Sequence, residues 1–372
     1  MSQHRSRPRI LFVIDYAAGT GGAERLVVGL ATHLPQDRFE PWICATRSAE
    51  PATARVLGES GVRLVTLGRS AKWDIHRLGG LVRILRHHHF DVLHAHKFGS
   101  NLWGMLIGSA CRVPALVAHE HSWSYEGDAP RAWLDGNVIG RLATRFVAVS
   151  TADARRMVSR EGVRPEKIVV IPNAYIPSSA AHDTDVRAEL GLGADVPLVG
   201  IAAVLRPEKR IDVLLQAHAT VRAALPGAQL VIAGDGDCRQ DLERQARELG
   251  IGEAVHFLGA RTDVDSILRA VDVAALSSDR EGSPLLMFEC MASGTPLVAT
   301  DVGGVPDVVE DGRTGVLVPR RDPDALAEGL ISLLSDPQRR AAMAAAGAEA
   351  LQRYTIEAIA DRFAELYDTL LV

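Results

Sequence analysis

Short apolar runs alternate with amphipathic segments along most of the chain. Seven runs typical of buried parallel strands lie in the first half, at 10–14, 42–45, 63–67, 92–94, 115–118, 146–149 and 168–171. Six more follow, at 198–203, 229–233, 255–258, 273–276, 297–300 and 315–318. Because helical segments separate these strands, the pattern predicts α/β structure, with parallel sheets covered by helices on both faces.

The segment 172–185, with the sequence PNAYIPSSAAHDTD, separates the two series of strands. Its Pro, Ser and Ala content predicts a linker, and a length of 372 residues favours two domains over one. We therefore predict two doubly wound, Rossmann-like domains that face each other across a cleft. Three helices are expected at the C-terminus, and the last of them has an apolar stripe formed by Ile356, Ile359, Phe363, Leu366 and Leu370.

The amino-acid composition limits which bound metals, disulfides and cellular compartments we expect. Hydrophobic residues make up 47% of the chain, enough for two cores, and the four cysteines show no paired spacing. We expect neither a zinc site nor a disulfide framework, and a reducing compartment fits. Few apolar residues follow the basic N-terminus and no apolar run approaches 18 residues, so we expect a cytoplasmic protein.

Charge is divided unevenly between the two halves of the chain. Residues 1–175 hold 23 Lys and Arg against 15 Asp and Glu, whereas the remainder holds 18 against 31. The basic half could face an anionic membrane or a phosphorylated acceptor, with ordinary compositional drift as the alternative. Nucleic-acid binding is disfavoured, because the total charge is acidic and aromatic residues are not interleaved with the basic ones.

Two glutamates eight positions apart, Glu281 and Glu289, mark the first candidate site. They flank the segment Gly282-Ser283-Pro284-Leu285, which follows a predicted buried strand. Ser283 can cap a helix and Pro284 fits the first helical position, so backbone N–H groups there would bind phosphate. A carboxylate on each side of that phosphate could bind hydroxyl groups, and the ligand with this pattern is a nucleotide-sugar.

Two further segments favour phosphate binding. Gly19, Gly21 and Gly22 follow the first strand, predicted to end at Asp15, and let the backbone approach a ligand; a tight turn is the alternative. A dinucleotide fingerprint is not matched, because its third glycine is replaced by Glu24. After the strand at 198–203, Arg206 and Lys209 could clamp a diphosphate, with a solvated basic turn as the alternative.

The sequence His119-Glu120-His121 ends the strand predicted at 115–118. Both imidazoles share one face if the extended geometry persists, and hydrogen bonding to substrate oxygens is the favoured role. A metal pair is conceivable, but no third ligand is evident nearby, although His94 and His96 end the preceding strand. We predict no metal site.

Taken together, these motifs resemble those of retaining glycosyltransferases with the GT-B fold, family 4 (glycosyl transferases group 1). The matching segments occur in the family's order over nearly the whole chain. They are Gly21-Gly22-Ala23-Glu24-Arg25, a histidine after a central strand, Ile171-Pro172-Asn173, Pro207-Glu208-Lys209, Ala233-Gly234-Asp235-Gly236, Phe257-Leu258-Gly259, Glu281-Gly282-x-Pro284 with Glu289, and Gly303-Gly304.

The resemblance implies a role for each domain. An acceptor-binding domain would span 1–175 together with a returning C-terminal helix at about 356–372, and a nucleotide-sugar domain would span 176–355. Glu289 would bind the ribose hydroxyls, Glu281 the sugar hydroxyls, and the backbone around Phe257 and Leu258 the base. The diphosphate would be held by Arg206 and Lys209, with Gly21, Gly22 and the 282–285 segment around it.

Two departures from the family pattern affect these assignments. Val204 stands where the family has its usual arginine, so Arg206 is expected to substitute for it. Arg210 stands where the family has a glycine that begins a helix. For the family histidine, His121 matches slightly better than His119.

The implied reaction is transfer of a hexose from a nucleoside-diphosphate sugar to an acceptor hydroxyl, with retention at the anomeric carbon. A UDP-sugar is the favoured donor and a GDP-sugar the alternative; no cofactor or metal is expected, and the acceptor is unassigned. The setting would be glycan, glycolipid or polysaccharide synthesis, with the protein peripheral at the inner face of the membrane. The alternatives are a sugar-nucleotide epimerase and an inactive nucleotide-binding partner subunit.

Overall fold

The computed structural model describes residues 7–19, 21–71, 74–121, 128–177 and 184–371. The chain forms two compact units. Unit 1 consists of Met1–Ile176 and Thr355–Val372, and unit 2 of Pro177–Tyr354. Part of the predicted linker, residues 178–183, lies outside the described residues.

Unit 1 contains a parallel sheet in which all seven predicted strands are confirmed. They are β1 (Arg9–Ala17), β2 (Glu40–Ala49), β3 (Arg63–Thr66), β4 (Val92–His96), β5 (Ala115–Glu120), β6 (Arg145–Ala148) and β7 (Ile168–Val170), in the order β3-β2-β1-β4-β5-β6-β7. The predicted end of β1 at Asp15 is wrong. A register shift after Ile14 lets Tyr16 and Ala17 continue to pair with β2.

Helices cover both faces of this sheet. They are α1 (Gly22–His33), α2 (Pro51–Glu59), α3 (Gly79–His88), α4 (Lys97–Ala110), α5 (Ala129–Leu134), α6 (Gly140–Leu142) and α7 (Thr151–Arg156). Two π-helical turns, Asp135–Ile139 and Met157–Glu161, extend α5 and α7. One core lies on each face, and the alternating side chains of β1 contribute to both, Phe12 to one and Val13 to the other.

Unit 2 contains a second parallel sheet, in which the six remaining predicted strands are confirmed. They are β8 (Leu198–Ala202), β9 (Gln229–Ala233), β10 (Val255–Gly259), β11 (Val273–Leu276), β12 (Leu297–Thr300) and β13 (Val316–Val318), in the order β10-β9-β8-β11-β12-β13. Its helices are α8 (Val186–Glu189), α9 (Ile211–Ala224), α10 (Arg239–Glu248), α11 (Val264–Ala270), α12 (Leu285–Ser293), α13 (Val305–Val308), α14 (Pro323–Leu334) and α15 (Pro337–Leu351). The predicted fold class, two doubly wound parallel-sheet domains, is therefore confirmed.

The last helix, α16 (Ile356–Leu371), belongs to unit 1. Its predicted apolar stripe packs into the same core as α1, with Ile359 and Phe363 fully buried. Tyr367, also fully buried, places its ring edge-on to Phe39. Within the described residues, no helix is both long and apolar enough to span a membrane.

In each sheet the strand order reverses direction once. The reversal lies between β1 and β4 in unit 1, and between β8 and β11 in unit 2. Ligands of open α/β sheets bind at this switch point, outside the carboxyl ends of the strands. The candidate segments after β1, β8 and β11 all begin at these two places.

Candidate functional site

The loops after β8 and β11 are held together by an ion pair at the switch point of unit 2. Lys209 Nζ donates to Glu281 Oε1 over 2.6 Å, and the Glu281 side chain is only 8% exposed. Ser278 donates its hydroxyl to the same carboxylate oxygen, also over 2.6 Å. A lysine has three N–H donors, so Lys209 can hold Glu281 and still donate to a phosphate.

Further hydrogen bonds join the same two loops through their backbones. Asp279 N–H donates to Glu208 O over 2.8 Å, and the Ser277 hydroxyl donates to Lys209 O over 2.9 Å. Thr300, at the end of β12, donates its hydroxyl to Ser278 O over 2.7 Å. These bonds fix the backbone that carries Lys209 and Glu281, which is how a binding site is preorganised.

Asp279 forms ion pairs with two arginines, neither of which was predicted to be a site residue. Arg321 makes a bidentate contact with its carboxylate at 2.9 and 2.8 Å, and Arg210 approaches to 3.5 Å. The Arg321 hydrogen bond is the main cause of a lowered pKa for Asp279. Both arginines have positive φ, 50° for Arg210 and 59° for Arg321. Arg210 stands where the family pattern has glycine, and it adopts the left-handed conformation that glycine favours. Its side chain contacts Asp279 in this conformation.

The predicted start of the helix after Glu281 is wrong by one residue. Pro284 has an extended ψ of 131° and is the N-cap, so α12 begins at Leu285 and Ser283 precedes the cap. Proline supplies no N–H, so the donors free of intrahelical acceptors at this end come from Leu285 and Leu286. Glu289 lies in the second turn of α12 and is partly buried.

Arg206 is placed differently from Lys209. The alternation expected around it is seen, because Val204 and Arg206 are exposed and Leu205 between them is fully buried. Arg206 lines a pocket of about 440 Å³ together with Arg210, Cys238 and Gln245, among others. Glu208 and Asp279 also line this pocket, so it adjoins the two loops that carry Lys209 and Glu281.

Phe257 and Leu258, the residues predicted to lie near the base, are in β10 at the edge of the sheet in unit 2. Both are half-buried. The N–H of Gly234 donates to Gly259 O over 2.7 Å, which draws the loop after β9 against the end of β10. Two of the glycine motifs noted in the sequence thus meet at the carboxyl edge of this sheet.

Gly303 packs directly against the backbone of Glu281. A Cβ atom at Gly303 would lie 1.6 Å from Glu281 O, and its φ is 57°. We expect Gly303→Ala to lower the free energy of unfolding of unit 2 by more than about 3 kcal/mol, because strain and a backbone clash coincide. Urea unfolding measures this loss, and the affinity for a nucleotide-sugar donor should fall in parallel.

Gly312→Ala is the matched control for that substitution. Gly312 also has a positive φ, 75°, but a Cβ there meets nothing within 4 Å. Its cost should be limited to the strain of about 1–2 kcal/mol. Equal losses for the two variants would show that the close approach to Glu281 has no energetic consequence.

In unit 1, the glycine loop after β1 leads directly into α1. Gly21 has a φ of 86° and is the N-cap, and Gly22 is the first helical residue, while Thr20 lies outside the described residues. Glu24, in the first turn and buried, forms an ion pair with Lys97. Lys97 begins α4 with a φ of 67° at the end of β4. The pair therefore joins the two loops at the switch point of unit 1.

Four histidines share one face of the two central strands β4 and β5. His96 lies opposite His119 in the register, with His94 and His121 beside them. The rings of His119 and His121 stack with centroids 4.1 Å apart. His119 has no exposed surface, so the expectation that it is placed for ligand contact is not met, whereas His121 at the strand end is 9% exposed. The extended geometry that we expected to align these two imidazoles is confirmed.

These histidines also correct the expectation that no third metal ligand is near. Ring nitrogens of His94, His96 and His119 lie within 4.8 Å of one another. Zinc bonds to histidine are about 2.0–2.1 Å long, so tetrahedral ligand nitrogens stand about 3.4 Å apart. The three imidazoles could supply nitrogen ligands after their rings had moved closer together.

Burial governs the protonation of these histidines. It lowers the pKa of His121 to about 3, assisted by the charge of Lys97 and opposed by a side-chain hydrogen bond with Asn173. Burial also holds the pKa of His94, His96 and His119 well below the ordinary value of 6.5, with smaller effects from neighbouring histidines. All four imidazoles are therefore neutral at pH 7.

Comparisons with known proteins agree with this geometry. Residues 183–350 match the family described as glycosyl transferases group 1, and residues 20–178 match glycosyltransferase family 4. The D-inositol 3-phosphate glycosyltransferase of Kineococcus radiotolerans is 31% identical across 93% of this chain and 90% of its own length. The enzyme of the same name from Nocardia farcinica is 34% identical across 68% of this chain, and the match spans only 60% of that relative.

A solved structure shows the same fold. The Anabaena protein HepE in complex with UDP-glucose superposes with a TM-score of 0.83 and 25% identity, covering 97% of this chain and 99% of that one. The chain therefore belongs to the group 1, family 4 glycosyltransferases, a family of transferase enzymes with the GT-B fold. The resemblance noted in the sequence is confirmed.

Proposed function

We propose that the protein transfers a hexose from a nucleoside-diphosphate sugar to an acceptor hydroxyl, with retention at the anomeric carbon. A UDP-sugar is the favoured donor, since the similar HepE structure contains UDP-glucose, and a GDP-sugar is the alternative. The nucleotide-sugar is assigned to unit 2 and the acceptor to unit 1. The reaction would serve glycan, glycolipid or polysaccharide synthesis.

The observation that carries this proposal is the Lys209–Glu281 pair at the switch point of unit 2. Beside it, the N-terminus of α12 offers backbone N–H groups to a phosphate. In the proposal Lys209 binds the diphosphate, Glu281 the sugar hydroxyls and Glu289 the ribose. Arg206 is the weaker assignment, because its side chain is exposed.

Departure of the nucleoside diphosphate leaves negative charge on its phosphates. Lys209 and the N–H groups of Leu285 and Leu286 would stabilise that charge in the transition state, without requiring a metal ion. The leaving phosphate would take the proton of the attacking acceptor hydroxyl on the same face of the sugar. Retention then follows without a covalent sugar–enzyme intermediate, so the two-carboxylate scheme of glycosidases is not needed.

His121 contributes as a neutral hydrogen-bonding group in this proposal. With a pKa of about 3, its imidazole carries no positive charge at neutral pH and is a poor general acid. A neutral imidazole can donate one hydrogen bond and accept another, which suits a sugar hydroxyl. His119 is assigned to the packing behind it, because it has no exposed surface.

The relatives suggest which acceptor to test first. Several are named D-inositol 3-phosphate glycosyltransferases, so a phosphorylated cyclitol is the leading candidate. Such an acceptor offers a hydroxyl to glycosylate and a phosphate for a basic surface, and the first half of the chain is the basic one.

Two other functions remain alternatives. A sugar-nucleotide epimerase would convert one nucleotide-sugar into another without releasing the nucleoside diphosphate. An inactive partner subunit would bind the nucleotide and release nothing. The Lys209–Glu281 pair supports the transferase, because in this proposal its cation binds the diphosphate and its carboxylate binds the sugar hydroxyls.

A donor screen tests the proposal. UDP-, GDP- and ADP-sugars are added one at a time, and the unfolding of unit 2 is followed by calorimetry. All five tryptophans precede residue 134, so fluorescence reports on unit 1 and not on unit 2. A donor at 100 times its Kd should stabilise unit 2 by about 2.7 kcal/mol. Stabilisation by no nucleotide-sugar would contradict the proposal.

Retention is tested on the product itself. With an α-linked donor, proton NMR of the newly formed glycoside should show the α anomer. A β product would require inversion and would remove the same-face mechanism. Full turnover in excess chelator is expected if no metal takes part, and abolition would assign the phosphate charge to a metal instead.

Peripheral binding to an anionic membrane is a separate part of the proposal. Its support is the net positive charge of residues 1–175 and the exposed aromatic ring of Trp133 in α5, which is 59% exposed. Sedimentation with anionic liposomes at low salt should carry the protein down, and raised salt should release it. Equal recovery with neutral liposomes would contradict an electrostatic contact.

A further inference from the structure

The two oxygens of the Glu281 carboxylate have different surroundings. Lys209 Nζ and the Ser278 hydroxyl both donate to Oε1 over 2.6 Å, whereas no described residue donates to Oε2. A carboxylate oxygen has about two acceptor positions, so these two hydrogen bonds fill Oε1. Oε2 is the oxygen of Glu281 that remains to accept a hydrogen bond from a ligand.

Oε2 is also accessible from outside the protein. Most of the Glu281 side chain is buried, but Oε2 is not one of the fully buried polar atoms that lack a hydrogen-bond partner. An oxygen without a partner that is not fully buried must retain exposed surface. The exposed part of this side chain therefore includes Oε2, at the switch point of unit 2 where ligands of such sheets bind.

Ser278 is anchored close to the sheet. It lies two residues after the end of β11 and has no exposed surface, and its carbonyl accepts from the Thr300 hydroxyl over 2.7 Å. Lys209, the other donor to Oε1, has a partly exposed side chain on a flexible four-carbon stem. If Lys209 turns toward a diphosphate, Ser278 is the donor that keeps the Glu281 carboxylate in place.

We propose that Ser278 is a positioning residue, which holds Oε1 of Glu281 so that Oε2 accepts a hydrogen bond from a hydroxyl of the donor sugar. This inference rests on the proposed function, because Glu281 meets a sugar only if unit 2 binds a nucleotide-sugar. Ser278 acts through Glu281, since it has no exposed surface of its own to offer a ligand. A carboxylate that is already ordered binds a hydroxyl more tightly, because less rotational freedom is lost on binding.

The two parts of the donor should respond differently to loss of the Ser278 hydroxyl. Lys209 and the N-terminus of α12 are assigned to the diphosphate, which a nucleotide-sugar shares with the free nucleoside diphosphate. Glu281 is assigned to the sugar alone. Loss of the hydroxyl should therefore weaken binding of the nucleotide-sugar only, whereas general damage to the site would weaken binding of both ligands.

The first test uses the protein without a ligand. Ser278→Ala and Glu281→Ala are made singly and together, and calorimetry follows the Tm of unit 2. Ser278→Ala should lower this Tm in the wild-type background and lower it less beside Glu281→Ala, where the hydrogen bond is already lost. Equal decreases in both backgrounds would show that Ser278 does not hold Glu281 and would overturn the proposal.

The second test compares two ligands. Titration calorimetry measures the Kd of UDP-glucose and of UDP, or of the nucleotide-sugar that the donor screen selects and its nucleoside diphosphate. Ser278→Ala should raise the Kd of the nucleotide-sugar about tenfold, the effect of one hydrogen bond, and leave that of the free diphosphate within about twofold. Equal weakening of both ligands, or no change in either, would overturn the proposal.

Thr295→Val is the matched control. The Thr295 hydroxyl is also buried in unit 2, but it donates to Leu268 O, over 2.6 Å, and not to Glu281. Its loss should lower the Tm of unit 2 without changing either Kd. A wild type that transfers sugar while Ser278→Ala binds like it would remove the role of Ser278 alone. A wild type that binds no nucleotide-sugar would remove the proposed function and the role of Oε2, and the Tm comparison would still decide whether Ser278 holds Glu281.

Discussion

Replacing Lys209 by methionine is expected to lower the kcat of sugar transfer by about a hundred- to a thousandfold. Lys209 is the residue proposed to bind the diphosphate; its Nζ is held 2.6 Å from Glu281, and its carbonyl accepts a hydrogen bond from the Ser277 hydroxyl. Methionine keeps much of the length of the side chain and removes its charge. Steady-state release of nucleoside diphosphate measures kcat, and a donor titration measures affinity separately.

Two further variants separate charge from general damage. Lys209→Arg retains a cation of different shape and should keep more of kcat than Lys209→Met. Arg244→Met is the control, because Arg244 is an exposed cation on α10 with only exposed partners. It should leave kcat unchanged. A Lys209→Met enzyme within twofold of the wild type would remove Lys209 from the phosphate site.

Acidification is expected to unfold unit 1 before unit 2. The four buried histidines on β4 and at the end of β5, all in unit 1, have a folded-state pKa below the ordinary 6.5, so the unfolded chain binds more protons below that pH. Their contribution to the free energy of unfolding is fully present above pH 6.5 and is lost as the pH falls. These groups act together below pH 6.5, so the free energy of unfolding of unit 1 should fall more steeply than that of unit 2 as the pH is lowered.

Tryptophan fluorescence checks this directly, because all five tryptophans belong to unit 1. Calorimetry detects unit 2 as a transition without a fluorescence change. In unit 2 burial lowers the pKa of His218, to about 4, and that of His256, so fewer groups act there and its loss of stability in acid should be shallower. An acid transition of unit 2 that preceded that of unit 1 would contradict the burial of the four histidines.

The stability of unit 1 at rising pH depends on Glu161. Burial, with the charges of Asp135 and Glu120, raises the pKa of Glu161 to about 9. The unfolded chain loses this proton near pH 4.5, so the free energy of unfolding of unit 1 should decline by about 1.4 kcal/mol per unit between pH 4.5 and 9. Glu161→Gln should remove this decline, and an unchanged slope would show that Glu161 is ionised in the fold.

The strands could be predicted because buried parallel strands require continuous apolar runs, and all thirteen were found. Lys209 and Glu281 could be placed in one region because each follows a strand beside the switch point. The start of α12 was missed by one residue, because the fixed φ of Pro284 suits a helix while its ψ of 131° does not. That ψ is not encoded in the identity of the residue.

Contacts between distant segments could not be read from the sequence. The Arg321 contact with Asp279 spans 42 positions and depends on the left-handed backbone of an arginine, which no local pattern indicates. The grouping of the four histidines on one face could not be predicted without the register of β4 on β5, in which His96 lies opposite His119. All four residues lie at the ends of neighbouring predicted strands. Their i, i+2 alternation on each strand was the signal that could have predicted a shared face.

The central claim is that unit 2 holds a nucleotide-sugar for transfer to an acceptor. The most direct measurement incubates the protein with a UDP-sugar labelled in the sugar and with D-inositol 3-phosphate or another candidate acceptor, and follows both UDP and label. We expect UDP release that requires the acceptor, equal label in the product, and loss of both in Lys209→Met. Conversion of the sugar without UDP release, or wild-type rates in Lys209→Met, would contradict it.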